Sequence, residues 1–323
     1  MIVSKTPYRI PLSGGGTDLD FFYKKFGSKF ISASVTEYVY VFFTERKLDK
    51  NYMIQTSVVE FTKNLKDIKH ALIRETIRYF GLKENFQIST VSTVPTSTGL
   101  GTSSAMVVGL INCIKKYKNL KLSQNEIFKI AYKIERKIVK YEGGWQDQIT
   151  SVFGGLVSVA ISKKEIIKID KKKNFQNISK IVNNHFLLVY SNQKRDSSNI
   201  IRSQKKNMRK TFEFYNKIKK FNLPMMNSIK NKKINLIGEI FNDHWKLKRN
   251  LTNNISGKEI NNLYSKIEKL EGFLGGKLIG AGGGGFFLIV VKNKKKIINQ
   301  IIKNNLNFIN LKFENDGSKI IET

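Results

Sequence analysis

Residues 95–106 read PTSTGLGTSSAM, a run of small, hydroxyl-bearing and glycine residues with almost nothing to bury. Its flanks limit what the run can be. Upstream, Phe86, Ile88, Thr90, Ser92 and Val94 recur with the period of two that a strand imposes, until Pro95 removes a backbone donor and stops it. Downstream, Val107, Leu110, Ile111 and Ile114 recur at helical spacing. The run therefore joins a strand to the start of a helix. Gly99 and Gly101 permit unusual backbone angles, and Thr102, Ser103 and Ser104 set hydroxyls where the helix begins. Free amides and the positive end of the helix dipole make such a junction an anion site. It is not the GxxxxGK[ST] phosphate loop, whose lysine is absent. On pattern alone, an N-capped helix after a flexible turn accounts for it equally well.

Two other stretches carry chemistry-bearing residues. In TPYRIPLSGGGTDLDFF, Arg9 lies between apolar residues of a strand, and a triple glycine leads to Thr17 and Asp18. The cation and the carboxylate could face one pocket across the turn, or Arg9 could pair with a surface acid while Asp18 caps a helix starting at Leu19. In IERKIVKYEGGWQDQ, Glu135 lies four residues after Ala131 and three before Ile138, so it projects from the apolar flank of its helix. An unpaired carboxylate there is costly, and Glu135 calls for a cation. Arg136, among Lys129, Tyr132 and Lys140, reads as solvated. Asp147 comes just past two glycines at the start of a short helix, which suits a cap or an exposed catalytic carboxylate.

Near the carboxyl end, LIGAGGGGFFLIVV holds Gly280, Gly282 and Gly285 in GxGxxG spacing. A dinucleotide fingerprint must open a helix after a strand, whereas these glycines lead into a buried strand. A glycine bulge that lets the backbone approach a ligand or the 95–106 loop is the better account.

The remaining pattern places a capping box at Ser123 and Glu126 ahead of Ile127, Ile130, Ala131, Ile134 and Ile138. A strand over LVSVAIS comes next, then a helical region from about 200 to 275. The chain closes with strand (FFLIVV), helix (KKKIINQIIKNN) and a strand alternating Ile309, Leu311 and Phe313. This order predicts two α+β layers, 1–175 and 176–323, divided at the KIDKKKNFQN stretch.

Composition excludes more than it selects. At 323 residues and 41% hydrophobic content the chain can bury a sizeable core, and its longest apolar runs fall far short of a bilayer span. The amino terminus lacks the continuous apolar centre of a signal peptide, so a cytoplasmic location is expected. Cys113 alone forms no intrachain disulfide, and His70, His185 and His244 lack ligand spacing. The formal net charge of +32 comes from lysine spread along the whole chain rather than from one basic stripe. No base-reading module accompanies it, so neither nucleic acid nor membrane is the expected partner.

Together, TPYRIPLSGGGTD, PTSTGLGTSSAM and IGAGGGGFF resemble, in this order and over most of the chain, the three motifs of the GHMP family of small-molecule kinases. The resemblance implies an α+β fold, with an N-terminal domain like ribosomal protein S5 domain 2 and a ferredoxin-like C-terminal domain. It implies ATP on the loop through Pro95, Thr98, Gly99, Leu100, Gly101, Thr102, Ser103 and Ser104, and Mg²⁺ on Ser103 and Glu135. It implies a catalytic role for Asp147, with Arg9 offsetting charge at the transferring group.

Within the family, RI-x3-GGGTD, GGxQDQ-x4-FGG, Arg195 in NQKRDSSNI and HWKLKRNLTNNIS at 244–256 are most similar to members that act on D-glycero-D-manno-heptose 7-phosphate. That likeness implies phosphorylation of an anomeric hydroxyl in surface-polysaccharide precursor synthesis. It sets Gly15, Gly16, Thr17, Asp18, Gly144, Gln146, Gly282 and Gly283 around the sugar. Lys194, Arg195, Lys248 and Arg249 are candidates for the substrate's phosphate, the two arginines first because a guanidinium binds phosphate in a fork. A kinase for an unphosphorylated sugar such as fucose, and a GHMP-fold sensor without catalysis, are the alternatives. A homodimer is left open.

Overall fold

The computed structural model describes residues 1–171, 176–193 and 197–322. The chain opens with β1 (Ile2–Ser13), α1 (Asp20–Phe26), the long strand β2 (Ser28–Glu45), a hairpin of β3 (Tyr52–Gln55) and β4 (Val59–Thr62), α2 (Ala71–Tyr79) and β5 (Phe86–Ser92). Three helices come next, α3 (Thr102–Tyr117), α4 (Gln124–Tyr132) and α5 (Gln146–Phe153), and then β6 (Leu156–Ile161) and β7 (Ile167–Lys171). β2 organises this sheet, pairing with β1 along its length, with β6 through Ser28–Ala33 and with β5 through Val39–Glu45. β5 continues to β3 in parallel and on to β4.

The capping box starts α4 as its sequence dictates, Ser123 Oγ accepting from the Glu126 amide and the Glu126 carboxylate accepting from the Ser123 amide. Regular periodicity then ends. Lys133–Ile138 is π-helical, with the Val139 amide donating to Ile134 O at 2.9 Å. The wider turn rotates the end of this segment about its axis, so Ile138, expected on the apolar stripe, is 38% exposed.

The second half runs α6 (Gln176–His185), β8 (Phe186–Tyr190), α7 (Ser197–Lys206), α8 (Met208–Lys220), α9 (Asn222–Lys230), α10 (Ile234–Arg249), α11 (Lys258–Glu268), β9 (Phe273–Leu278), β10 (Phe286–Val291), α12 (Lys294–Lys303), β11 (Phe308–Ile309) and β12 (Lys319–Glu322). Its four-stranded antiparallel sheet has the order β11-β8-β10-β9, the ferredoxin-like arrangement in which the middle strands are first and third in sequence.

Two sequence expectations fail at the chain end. The strand expected through Phe313 stops at Ile309, because Leu311 turns into the core and Phe313 bridges to Val35 of β2. β12 then pairs antiparallel with β1, so the last strand belongs to the first sheet and not to the second layer assigned from 176 onward. That pairing covers an edge of β1 that would otherwise present unpaired donors and acceptors. The expected division at 175 itself lies outside the described residues.

The halves share their packing. One core joins α3, β1 and β2 to Phe186, Leu188, Ile237 and Phe241 of the second half. The other face of the second sheet buries Leu187, Trp245 and Phe287 together with Leu19 and Phe22 from the first. Between the sheets lies a cleft of about 910 Å³, lined from both.

Candidate active site

α3 begins at the cleft. Gly101 precedes it with φ 77° and provides no side-chain cap, and the first helical bond runs from the Ala105 amide to Gly101 O at 3.0 Å. The amides of Thr102, Ser103 and Ser104 therefore precede the ladder and find no protein acceptor among the described residues. Unsatisfied amides at the N-terminus of a 16-residue helix are what an anionic ligand needs, so the local geometry fits nucleotide phosphates. The loop is held from behind by the second sheet, the Phe286 amide donating to Thr98 O at 3.2 Å. This is the role expected of the GAGGGG run, which brings its backbone against the loop.

Glu135, turned inward by the π-helical segment, is fully buried behind the α3 N-terminus. Its carboxylate accepts from Ser103 Oγ at 3.1 Å, Ser104 Oγ at 2.6 Å and Gln148 Nε2. The cation it calls for is Arg136, whose Nη2 lies 3.7 Å away. Arg136 was expected to be solvated. Instead its side chain is 9% exposed and lines the cleft, because the π turn swings it back toward Glu142 and Gly143. Its buried Nε has no hydrogen-bond partner among the described residues.

Asp147 stands on the first turn of α5, facing Gly101, where a Cβ would come within 3.2 Å of its carboxyl carbon. Arg9, nearly buried on β1, donates to it through Nε at 2.8 Å and Nη2 at 2.5 Å, both to Oδ1. Arg9 Nη1 reaches Gly99 O at 2.5 Å, and the Arg9 amide reaches Leu100 O. One arginine thus ties the phosphate-loop backbone to the carboxylate. Asp147 Oδ2 receives no donor among the described residues and is left to the cleft.

Asp18 does not cap α1, which lacks a side-chain cap. Its carboxylate accepts from the Gln146 amide at 2.8 Å and the Gly16 amide at 3.2 Å, and lines the cleft beside Gly15, Gly16 and Gln146. Burial raises its pKa above the ordinary aspartate value, a shift the Gln146 amide opposes and the Asp147 charge reinforces. Gly144 permits this approach, since a Cβ there would lie 2.1 Å from Asp18 Oδ2. Gln146 Nε2 is buried without a hydrogen-bond partner among the described residues.

Other expected site residues lie elsewhere. Thr17 points into its own turn, bonding Gly14 O and Ser28 Oγ. Thr98, Leu100 and Ser104 are buried behind the loop surface. Gly282 and Gly283 turn toward Ile255 and Ile200, so Gly280 and Ala281 line the cleft in their place. Arg249 is exposed, whereas Lys248, ranked below it, is buried and lines the cleft. Lys194 and Arg195 lie outside the described residues.

Sequence reasoning missed His244 and Lys277, which line the same end of the cleft as Lys248. A signal existed for the first, because Ile237, Phe241, His244 and Lys248 continue one buried stripe along α10. A lone lysine in FLGGKLIG announced nothing.

Comparison with known proteins supplies the family. The model of the GHMP kinases N terminal domain matches residues 66–155 and that of the GHMP kinases C terminal domain matches residues 225–306, together more than half the chain. The chain belongs to the GHMP kinase family. The D-glycero-alpha-D-manno-heptose 7-phosphate kinase of Campylobacter jejuni is 28% identical over 296 residues, 87% of this chain and 86% of that protein. The mevalonate kinase of Saccharolobus solfataricus is 36% identical over 124 residues, 38% of this chain and 37% of that one. Among solved structures, a D-glycero-D-manno-heptose 1-phosphate kinase of Bacteroides thetaiotaomicron superposes with a TM-score of 0.83 at 22% identity, covering 100% of this chain and 99% of that chain. Lactococcus lactis galactokinase gives 0.76 at 16%, covering 98% and 94%. The GHMP kinase fold therefore extends through the chain, including stretches outside the two matched segments. Among the described residues of this GHMP kinase, no helix is long and apolar enough to cross a membrane.

Proposed function

We propose that this chain is an ATP-dependent sugar kinase that transfers the γ-phosphoryl group to the anomeric hydroxyl of a sugar phosphate, with D-glycero-D-manno-heptose 7-phosphate as the leading acceptor. The reading rests on one asymmetry: both Arg9 donors hold Asp147 Oδ1, while Oδ2 is open to the cleft beside Gly101. A carboxylate pinned through one oxygen orients an acceptor hydroxyl with the other and takes its proton, next to amides suited to phosphate. Phosphoryl transfer is mostly positioning and electrostatics, so a strong base is not needed.

The α3 amides would hold the nucleotide phosphates, and Arg9 and Arg136 would supply positive charge at the two flanks of the loop. Ser103 Oγ and the Glu135 carboxylate form a hard oxygen pair that fits Mg²⁺. Among the described residues no group of three or more acids, histidines or cysteines could hold a metal, so phosphate oxygens and water would complete the shell. Bound there, Mg²⁺ would neutralise phosphate charge. Asp18, Gln146 and the Gly15–Gly16 turn would position the sugar.

The choice of acceptor is supported by the name of the Campylobacter jejuni relative. The test is an ADP-release screen over hexoses, heptoses and their phosphates, with the phosphorylated carbon fixed by NMR. No sugar-dependent ADP release from any of them would refute kinase activity. Turnover restricted to unphosphorylated sugars would refute the acceptor class.

A further inference from the structure

The Asp18 carboxylate lies inside a ring of contacts that runs through both halves of the chain. On one side is the 142–144 loop. A Cβ at Gly144 would come within 2.1 Å of Asp18 Oδ2, and one at Gly143 within 2.5 Å of the Arg136 guanidinium carbon. Arg136 Nη1 also donates to the carbonyl of Glu142 at 3.5 Å. On the other side, the Gly16 amide donates to Asp18 Oδ1, and a Cβ at Gly16 would meet the Tyr215 ring at 2.5 Å. The Tyr215 hydroxyl donates to Gln204 Oε1 at 2.6 Å, and both residues are buried. An ion pair closes the ring, Lys205 Nζ of α7 lying 2.8 Å from Glu142 Oε2 and 3.1 Å from Oε1. The side chains are 32% and 24% exposed, and the Lys205 ammonium lies 5.8 Å from the centre of the Phe21 ring, so solvent screens the pair only in part. Ser197, Ile201 and Gln204 of α7 line the cleft, as do Glu142, Gly143 and Gly144.

We propose that Glu142 and Lys205 are positioning residues for the acceptor: their ion pair holds α7 against the 142–144 loop and so fixes the walls of the cleft around Asp18. The proposal rests on the kinase reading above, which gives the acceptor to Asp18, Gln146 and the Gly15–Gly16 turn. Each side chain acts through a neighbour that it fixes, Glu142 through Gly144 and Lys205 through Gln204. α7 needs such a tie. It has only ten residues, its buried apolar side chains are Ile200 and Ile201, and its last turn is basic. A short helix with so little apolar surface takes its position from tertiary contacts. With the pair broken, the acceptor must order α7 before it meets both walls, and that cost falls on acceptor binding. Once the acceptor is bound the walls are in place, so the rate at saturation is kept. The nucleotide, placed on the α3 amides, does not bear the cost.

The test uses the full chain with Glu142→Gln, Lys205→Gln, the reversal Lys205→Glu, and the swap that combines Glu142→Lys with Lys205→Glu. The acceptor probe is D-glycero-D-manno-heptose 7-phosphate, read by calorimetry and by ADP release. Should the wild type not bind it, the sugar with the highest turnover in the ADP-release screen takes its place. Each neutral variant should raise the acceptor Kd and KM about threefold to tenfold, the coupling expected of a partly buried pair, with kcat and the KM for ATP unchanged. Lys205→Glu sets two acids against each other and should raise them further, and the swap should recover most of the loss. Amide hydrogen exchange along α7 should quicken in the single variants and slow again in the swap. Recovery in the swap separates a positioning pair from a general loss of stability. An unchanged acceptor KM in the neutral variants, a swap no better than the reversal alone, or an equal loss for ATP would overturn the proposal. Acceptor binding that depends on the pair, without ADP release, would leave it standing and remove the kinase reading. Sugar-dependent ADP release indifferent to the pair would do the reverse.

Discussion

Arg9 binds Asp147 through a single carboxylate oxygen and, with its third nitrogen, holds the carbonyl of Gly99. The strand, the phosphate loop and α5 are thereby fixed at one point, and the geometry between Asp147 and the α3 amides does not depend on a mobile surface contact. Asp147→Asn keeps an oxygen for Arg9 but removes the negative charge that can accept a proton. Its kcat should fall by about 10²–10⁴-fold, the usual contribution of a positioned acid or base. KM for ATP should change far less, because the loss lies in the transition state. Steady-state ADP release checks this, and undiminished kcat would remove Asp147 from the reaction.

Glu135 has both a structural and a chemical task, and two substitutions separate them. Glu135→Ala leaves the buried Ser104 Oγ without its carboxylate acceptor and the buried Gln148 Nε2 with Ser104 Oγ alone. Unsatisfied buried donors cost about 1–3 kcal/mol each, so Tm should drop by several degrees or more. Glu135→Gln keeps one acceptor oxygen and should lose less stability, yet it lacks the charge for a divalent cation. Thermal melts of both variants, read beside kcat as a function of Mg²⁺ concentration, test this. Gln at full activity and unchanged Mg²⁺ dependence would dismiss the metal role.

Asp18 makes a pH-dependent prediction. Its carboxyl has a pKa above the ordinary 3.8, chiefly through burial, so the folded chain binds the proton more tightly than the unfolded chain. Stability from this group therefore falls as pH rises through the window that starts near 3.8 and ends at the raised value. Asp18→Asn removes the titration. The difference in Tm, variant minus wild type, should grow more positive between about pH 4 and pH 7.5, whatever fixed loss the amide causes. A difference that does not vary with pH would show that Asp18 is not strained by its burial.

The parts of the site legible in the sequence are those set by local chemistry. PTSTGLGTSSAM announces its strand-to-helix junction by composition, and Glu135 betrays itself as an acid on an apolar flank. Arg136 is not legible, because the π-helical turn that buries it breaks the very periodicity used to place it. Lys277 is decided by which face of β9 meets the first sheet, a tertiary fact. The return of β12 to β1 is likewise a long-range pairing with four residues of signal. The glycine run announces a backbone approach, but which glycines face the cleft depends on Ile200 and Ile255, far from it in sequence.

The choice between neighbouring cations on α10 is a matter of helix geometry. Successive residues differ by about 100° around the axis, so with Lys248 aimed into the cleft, Arg249 must face outward. It is indeed exposed and absent from the cleft lining. Its superior fork geometry is then of no use to a ligand it does not meet. Arg249→Ala should leave kcat/KM for the best sugar phosphate within about twofold and stability within about 0.5 kcal/mol, as for a surface substitution away from special features. Kinetics and a denaturant melt measure both. A tenfold rise in KM confined to the phosphorylated sugar would mean that the helix end rearranges on binding and brings Arg249 to the substrate.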